Sequence, residues 1–208
     1  SITSVWFSTA IFGGDPLFAL DATATDLLPM VPILLVSGLL FGVIALLFML
    51  ALFKSAAIGA NSGFSPLFLS LIAAVICGVV AIFVPEILGS GVFEINLIFG
   101  GSYTVGFLFL LFVLKLLATS LCIGFGLFGG VFSPAAMIGA AAGGFVSKFL
   151  ASIGIVTVPY LLPVAGFAAV TAAVVGAPIS VVLIVFELTQ SYDFAVAAML
   201  AAVIATFF

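Results

Sequence analysis

Apolar residues run almost unbroken along this chain, and the few polar positions that interrupt them mark where its segments end. Uncharged runs cover 27–53, 55–85, 95–114, 116–147 and 149–186. A helix needs roughly 20 apolar residues to cross a bilayer core. The pattern predicts the end of an apolar helix at 1–12, then a polar loop at 13–29 with Gly13, Gly14, Asp15, Pro16, Asp21, Asp26 and Pro29. A strong span at 31–52, a loop at 53–65 carrying Lys54, Asn61 and Gly63, and a second span at 66–84 follow. The runs 55–85 and 149–186 are too long for one span and too short for two comfortable ones, which predicts tilted, shortened or broken helices.

Pro85 and Glu86 open an irregular stretch, PEILGSGVFEINLIFGG, that suits a short helix or re-entrant segment better than a full span. A span at 103–123 carries Lys115 deep in its apolar sequence. A glycine-rich break, GFGLFGGVFSP at Gly124 to Pro134, leads into a helix at 134–150. Helices at 159–175, 177–190 and 193–208 complete the pattern, punctuated by Gly176, Pro178, Tyr192 and Asp193. Gly38 and Gly42, and again Gly139 and Gly143, stand four apart, a spacing of small residues that lets helices approach closely.

Composition confirms the membrane reading. The chain is 66% hydrophobic and 5% charged, against about 25% charged in a globular protein. Three lysines against seven acids, spread along the chain, form no basic patch, so nucleic acid is excluded as a partner. Cys77 and Cys122 read as separate buried thiols, with no disulfide or metal framework. There is no histidine, and no serine has a plausible lysine or aspartate base partner in sequence, so no catalytic residue and no enzyme activity is expected. Lys54 places the 53–65 loop in the cytoplasm and the aspartates of 13–29 outside. The chain opens on Ser1 and closes inside an apolar helix, which leads to the expectation of a piece of a longer protein.

The break at Gly124–Pro134 carries the chemistry. Backbone groups freed at membrane depth survive only where protein buries them or where they line a polar cavity. Pro134 suits the first turn of a helix, where its missing N–H costs nothing. The amides of Val131, Phe132 and Ser133 are then the unpaired donors of that helix, at the positive end of its dipole. Such a terminus suits an anion, held strongly enough to enter and weakly enough to leave. The residues alone leave the alternative of a glycine kink packed against a neighbouring helix.

GGVFSP resembles the G-x-F-x-P motif of the CLC chloride channels and chloride/proton exchangers. PEILGSG at 85–91 is similar to that family's P-E-x-L-G-x-G segment. Lys115 followed by LLATSLCIGFGLFGG resembles its basic residue on the helix leading into the motif, and GAPISVVLIVFELTQSYD at 176–193 its late helix with A-P and E-x-T elements. The order and spacing match over nearly the whole chain.

The resemblance implies an all-α polytopic fold with tilted and broken helices, the second of two inverted repeats in a CLC-type subunit. Residues 1–208 are then a partial transmembrane domain, without the first half and the final pore helix. It also implies a multi-pass protein of a prokaryotic inner membrane, a homodimer within the lipid bilayer. Its helices at 177–190 and 193–208, with 1–12, would lie at the dimer interface. The implied activity is chloride conduction or chloride/proton antiport, with chloride or a similar anion as ligand, protons as a second partner and no cofactor or metal.

By resemblance, Gly130, Val131, Phe132 and Ser133 bind the anion, supported by Gly129 and Pro134. The Val131 and Phe132 amides would line a central site, with the Phe132 ring beside the path and Ser133 at an outer site. Phe125 departs from a frequent serine and is expected to alter packing behind the loop. The family's gating and proton glutamates, its first-half serine, its pore tyrosine and its nucleotide-sensing module have no counterpart here. Lys115 and Glu187 are candidates for electrostatic tuning and for pairing with each other, and Glu86 and Glu94 read as interface-level carboxylates. Competing readings are a cation-coupled transporter with a broken helix and a non-conducting fragment.

Overall fold

The computed structural model describes residues 28–155, 158 and 160–207, and many of the helix boundaries have a local cause. The predicted helix end at 1–12, most of the 13–29 loop and its three aspartates lie outside the described residues. A 3-10 turn at Leu28–Met30 leads into α1, Val31–Asn61. α1 ends where Gly63 takes a left-handed backbone (φ +72°), the position past a helix end that glycine fills without strain. α2, Pro66–Phe83, opens with Pro66 in its first turn and Ser65 as cap, the serine side chain accepting from the Phe68 amide at 3.4 Å.

Here the expected 53–65 loop is corrected: α1 continues to Asn61, and the connection shrinks to 62–65. Residues 51–60 hold no proline and several alanines, so nothing in the backbone stops the helix, and Lys54 sits exposed on its surface. At about 1.5 Å per residue, the 31 residues of α1 exceed the bilayer core and require tilt or projection.

Beyond a 3-10 turn at Pro85–Ile87, α3 spans Val92–Phe99 and α4 Val105–Gly124. α5 follows at Phe132–Ser152, α6 at Leu161–Val175, α7 at Pro178–Thr189 and α8 at Tyr192–Phe207. The short helix in the 85–101 stretch is therefore as expected. Among the described residues, four helices, α1, α2, α4 and α5, are long and apolar enough to cross a membrane. At 15 and 12 residues, α6 and α7 are too short for a full crossing.

The core lies where α5 meets α6. Ten consecutive residues of α5, Ala135–Gly144, and twelve of α6, Leu161–Ala172, are buried. Small residues make this possible. A Cβ added at Gly139 would collide with the Gly166 carbonyl, and one at Gly143 with the Leu162 carbonyl. The backbones thus touch directly, as predicted from the four-residue spacing; in lipid such packing replaces the hydrophobic drive. Gly38 plays the same part between α1 and α8, its added Cβ lying 3.3 Å from the Ala201 Cα. α4 lies on α1 and α5, α8 on α1 and α6, and α2 packs mainly on α4 and the 85–87 turn. α2 is peripheral, with Leu67, Ile82 and Phe83 exposed.

Candidate functional site

The site is assembled from the end of α4, the 125–131 connection, the start of α5 and the 85–91 loop. α4 stops in a two-bond cap. The Gly126 amide donates to the Ile123 carbonyl (3.1 Å) and the Leu127 amide to the Cys122 carbonyl (2.9 Å), with Gly126 at φ +91°. That left-handed turn needs glycine and satisfies the last α4 carbonyls. It turns the chain before Gly129 and Gly130, which have open space around them.

α5 begins at Phe132, capped by Val131, and its first bond runs from the Ala135 amide to the Val131 carbonyl at 3.0 Å. Pro134 sits in the first turn and has no N–H to offer. Among the described residues, no acceptor takes a hydrogen bond from the Val131, Phe132 or Ser133 amide. The three donors expected to be free at this terminus are therefore free of protein partners.

A cavity of about 510 Å³ lies against this terminus, with Gly129, Gly130, Ser133, Pro134 and Lys115 in its wall. The Val131 and Phe132 side chains do not line it. Phe132 is 38% exposed and Val131 half-buried. Phe125 faces away, into a separate apolar cavity of about 420 Å³ between α1, α2 and α4. The Phe125 carbonyl accepts from the Ser70 hydroxyl at 3.1 Å, which ties the start of the loop to α2.

Lys115 is 3% exposed. Its ammonium donates to the Ile87 carbonyl at 2.7 Å and to the Gly89 carbonyl at 3.0 Å. The Ser133 hydroxyl donates to the Ser90 carbonyl from the other side. Residues 87–90 are thus held between a buried cation on α4 and the first turn of α5. Gly91 closes the loop at φ +74°, where a Cβ would strike the Met137 side chain of α5. The arrangement sets one positive charge and Ser133, the last of the three residues with free amides, on one cavity, with the helix N-terminus beside it, an electrostatic setting suited to an anion.

Two expectations need revision. The structure does not pair Lys115 with Glu187: the lysine is satisfied by carbonyls, while Glu187 is exposed on α7. A buried ammonium needs acceptors, and the kinked 85–91 backbone supplies them closer than any helix carboxylate. Nor are the cysteines separate, since Cys77 and Cys122 place their Sγ atoms 3.2 Å apart. Glu86 and Glu94 each lie in the first turn of a short helix, where a carboxylate suits the dipole. With burial as the larger cause, these two carboxylates hold the nearby Tyr103 phenol above its ordinary pKa. The Ser90 carbonyl and Ser70, both partners of the site, carried no signal in the sequence beyond the irregular glycine pattern at 85–91.

Broken and half-length helices, with a helix N-terminus opening on a cavity inside an apolar sequence, define a polytopic α-helical membrane protein with an interrupted span. Comparison with known proteins narrows this. The sequence model of the voltage gated chloride channel family matches residues 1–208, and the chain belongs to that family. The chain is 31% identical over 191 residues to the H+/Cl− exchange transporter ClcA of Vibrio parahaemolyticus, covering 88% of this chain and 40% of that protein. With ClcA of Vibrio cholerae it shares 38% identity over 119 residues, covering 55% of this chain and 25% of the relative. Among solved structures, a slow cyanobacterial Cl−/H+ antiporter superposes with a TM-score of 0.86 at 23% identity, over 99% of this chain and 49% of the other. A CLC-type fluoride/proton antiporter gives 0.82 at 22% identity, over 100% and 50%. The chain therefore spans half or less of the proteins it matches.

Proposed function

We propose that this chain is the second half of the membrane domain of an anion/proton antiporter, and that its 129–134 segment forms part of the anion path. The observation that carries this is the set of unpaired Val131, Phe132 and Ser133 amides at the start of a 21-residue helix, beside a cavity walled by Lys115. Amides bind an anion through partial charges, so the ion is held without being trapped. Lys115 raises the potential of the cavity while its hydrogen bonds keep it off the ion's path. Exchange rather than passive conduction is favoured by the relatives, which carry the name H+/Cl− exchange transporter. Chloride is the anion proposed, protons the coupled partner, and a bacterial inner membrane the setting. No cofactor is invoked.

The same reading makes the complete protein a dimer. Ile179, Leu183 and Tyr192 on α7 and α8 expose apolar surface that a second subunit would cover. Light scattering of the full-length protein in mild detergent would give a dimer mass, and a monodisperse monomer would refute this part.

Transport is tested with the full-length protein in liposomes, following chloride and pH together under an imposed gradient. Chloride flow that drives protons uphill is the expected result. Chloride flow without protons would overturn exchange and keep the anion path. No anion movement would leave the Gly129–Pro134 break as a packing kink.

A further inference from the structure

Cys77 on α2 and Cys122 in the last turn of α4 stand 45 residues apart in sequence, yet their Sγ atoms lie at 3.2 Å. The Cys77 sulfur is also 3.8 Å from the Ala118 carbonyl. Both thiols are free and half-buried. At this separation one thiol donates to the other, and little travel remains to a covalent bond. Both line the cavity that holds Gly129, Gly130, Ser133 and Lys115, and Cys77 also borders the apolar cavity behind it. A small uncharged oxidant entering the first space meets both thiols, and one entering the second meets Cys77.

A thiophilic metal fits less well. Among the described residues no group of three or more His, Cys, Asp or Glu side chains converges, so no third or fourth ligand completes a tetrahedral site. Two adjacent thiols with no further ligand suit oxidation instead.

The position of the pair gives it leverage. Ser70, Ala73, Cys77 and Ala81 recur at helical spacing, so they form one face of α2 toward α4. Ser70 holds the Phe125 carbonyl through one hydrogen bond, and the Cys122 carbonyl receives the Leu127 amide. A bond between Cys77 and Cys122 would add a covalent tie at the turn that launches the 125–131 connection.

We propose that Cys77 and Cys122 are a dithiol that a hydroperoxide converts to a disulfide, locking α2 to the end of α4 and slowing transport. The transport part rests on the anion-path reading above. In the first step one thiol sulfur attacks the peroxide O–O bond and gives up its proton to the leaving oxygen, giving a sulfenic acid and, with hydrogen peroxide, one water. The second thiol attacks that sulfur, forming the S–S bond and releasing a second water. Two thiols lose two electrons and two protons, and one peroxide is reduced to two waters.

The test uses the full-length protein in liposomes, first reduced with dithiothreitol, then exposed to hydrogen peroxide. Peptide mapping without reductant is expected to show Cys77 linked to Cys122. Chloride efflux is expected to fall about tenfold, as for a two-state element shifted by one order of magnitude, and to recover with dithiothreitol. Cys77→Ala, with Cys77→Ser as a second variant, should lose the peroxide response, each variant's efflux after peroxide matching its own efflux when reduced. Thiols that both remain open to alkylation after peroxide would overturn the dithiol. A disulfide without slower efflux would overturn the lock, as would peroxide inhibition that persists in the Cys77 variants. Reduced protein that moves no anion would sink the anion path and the lock with it, while the peptide map still decides the dithiol.

Discussion

Replacing Lys115 by methionine keeps the length of the side chain but removes its charge and both of its hydrogen bonds, to the Ile87 and Gly89 carbonyls at 2.7 and 3.0 Å. The carbonyls belong to the backbone and cannot be replaced with it. Loss of two charge-assisted bonds, worth about 1.5–3 kcal/mol each, is opposed by relief from burying an ammonium, which costs several kcal/mol. These two large quantities approximately offset. What decides the sign is the acceptors left behind. Ile87 is 5% exposed, whereas Gly89 is exposed and its carbonyl can be rehydrated from the cavity. One stranded buried carbonyl costs about 1–3 kcal/mol, so Lys115→Met should destabilise the full-length protein by about 2 kcal/mol. Lys115→Arg keeps the charge and offers donors, and should lose less. Thermal unfolding in detergent reads the stability, and calorimetric titration with chloride reads the anion. Methionine should weaken chloride binding more than arginine does. A methionine variant as stable as the parent, with unchanged chloride affinity, would refute both the clamp and the field.

Further changes test the packing. Gly143→Val places a side chain against the Leu162 carbonyl, where overpacking typically costs about 1–3 kcal/mol and sometimes more; it should lower the unfolding temperature more than Gly129→Val, which has open space. Ser55→Ala should stabilise by about 1 kcal/mol, because the Ser55 hydroxyl is buried without a hydrogen-bond partner among the described residues; a fall in the unfolding temperature would contradict this. Gln190 holds a left-handed backbone at the end of α7 (φ 50°), so Gln190→Gly should stabilise by about 1 kcal/mol. No gain in the same melt would show that the side chain compensates its own strain.

Much of the architecture was legible along the chain because helix ends are local events. Pro66, Pro178, Gly126 and Gly176 each act through their own φ or their missing N–H, so the breaks they cause stand where the pattern put them. The free amides of Val131, Phe132 and Ser133 follow from the same rule, since a helix start cannot satisfy its own first donors. The end of α1 was misjudged for the converse reason. Lys54 looks like a loop residue in a sequence this apolar, but a lysine on an exposed helix face interrupts nothing.

What the chain alone determined, then, is its membrane class, its breaks and the polarity of the helix at Phe132, because these depend on neighbours in sequence. The tertiary structure decided who meets whom. Lys115 finds carbonyls 26 and 28 residues away instead of Glu187, Ser133 reaches Ser90 across 43 residues, and two thiols that read as unrelated meet across 45. Those partners are set by how closely α5 and α6 can pack on bare glycines and by where that packing leaves the 85–91 loop and α4. Contact between distant segments is a property of the whole packed bundle, and no local pattern encodes it.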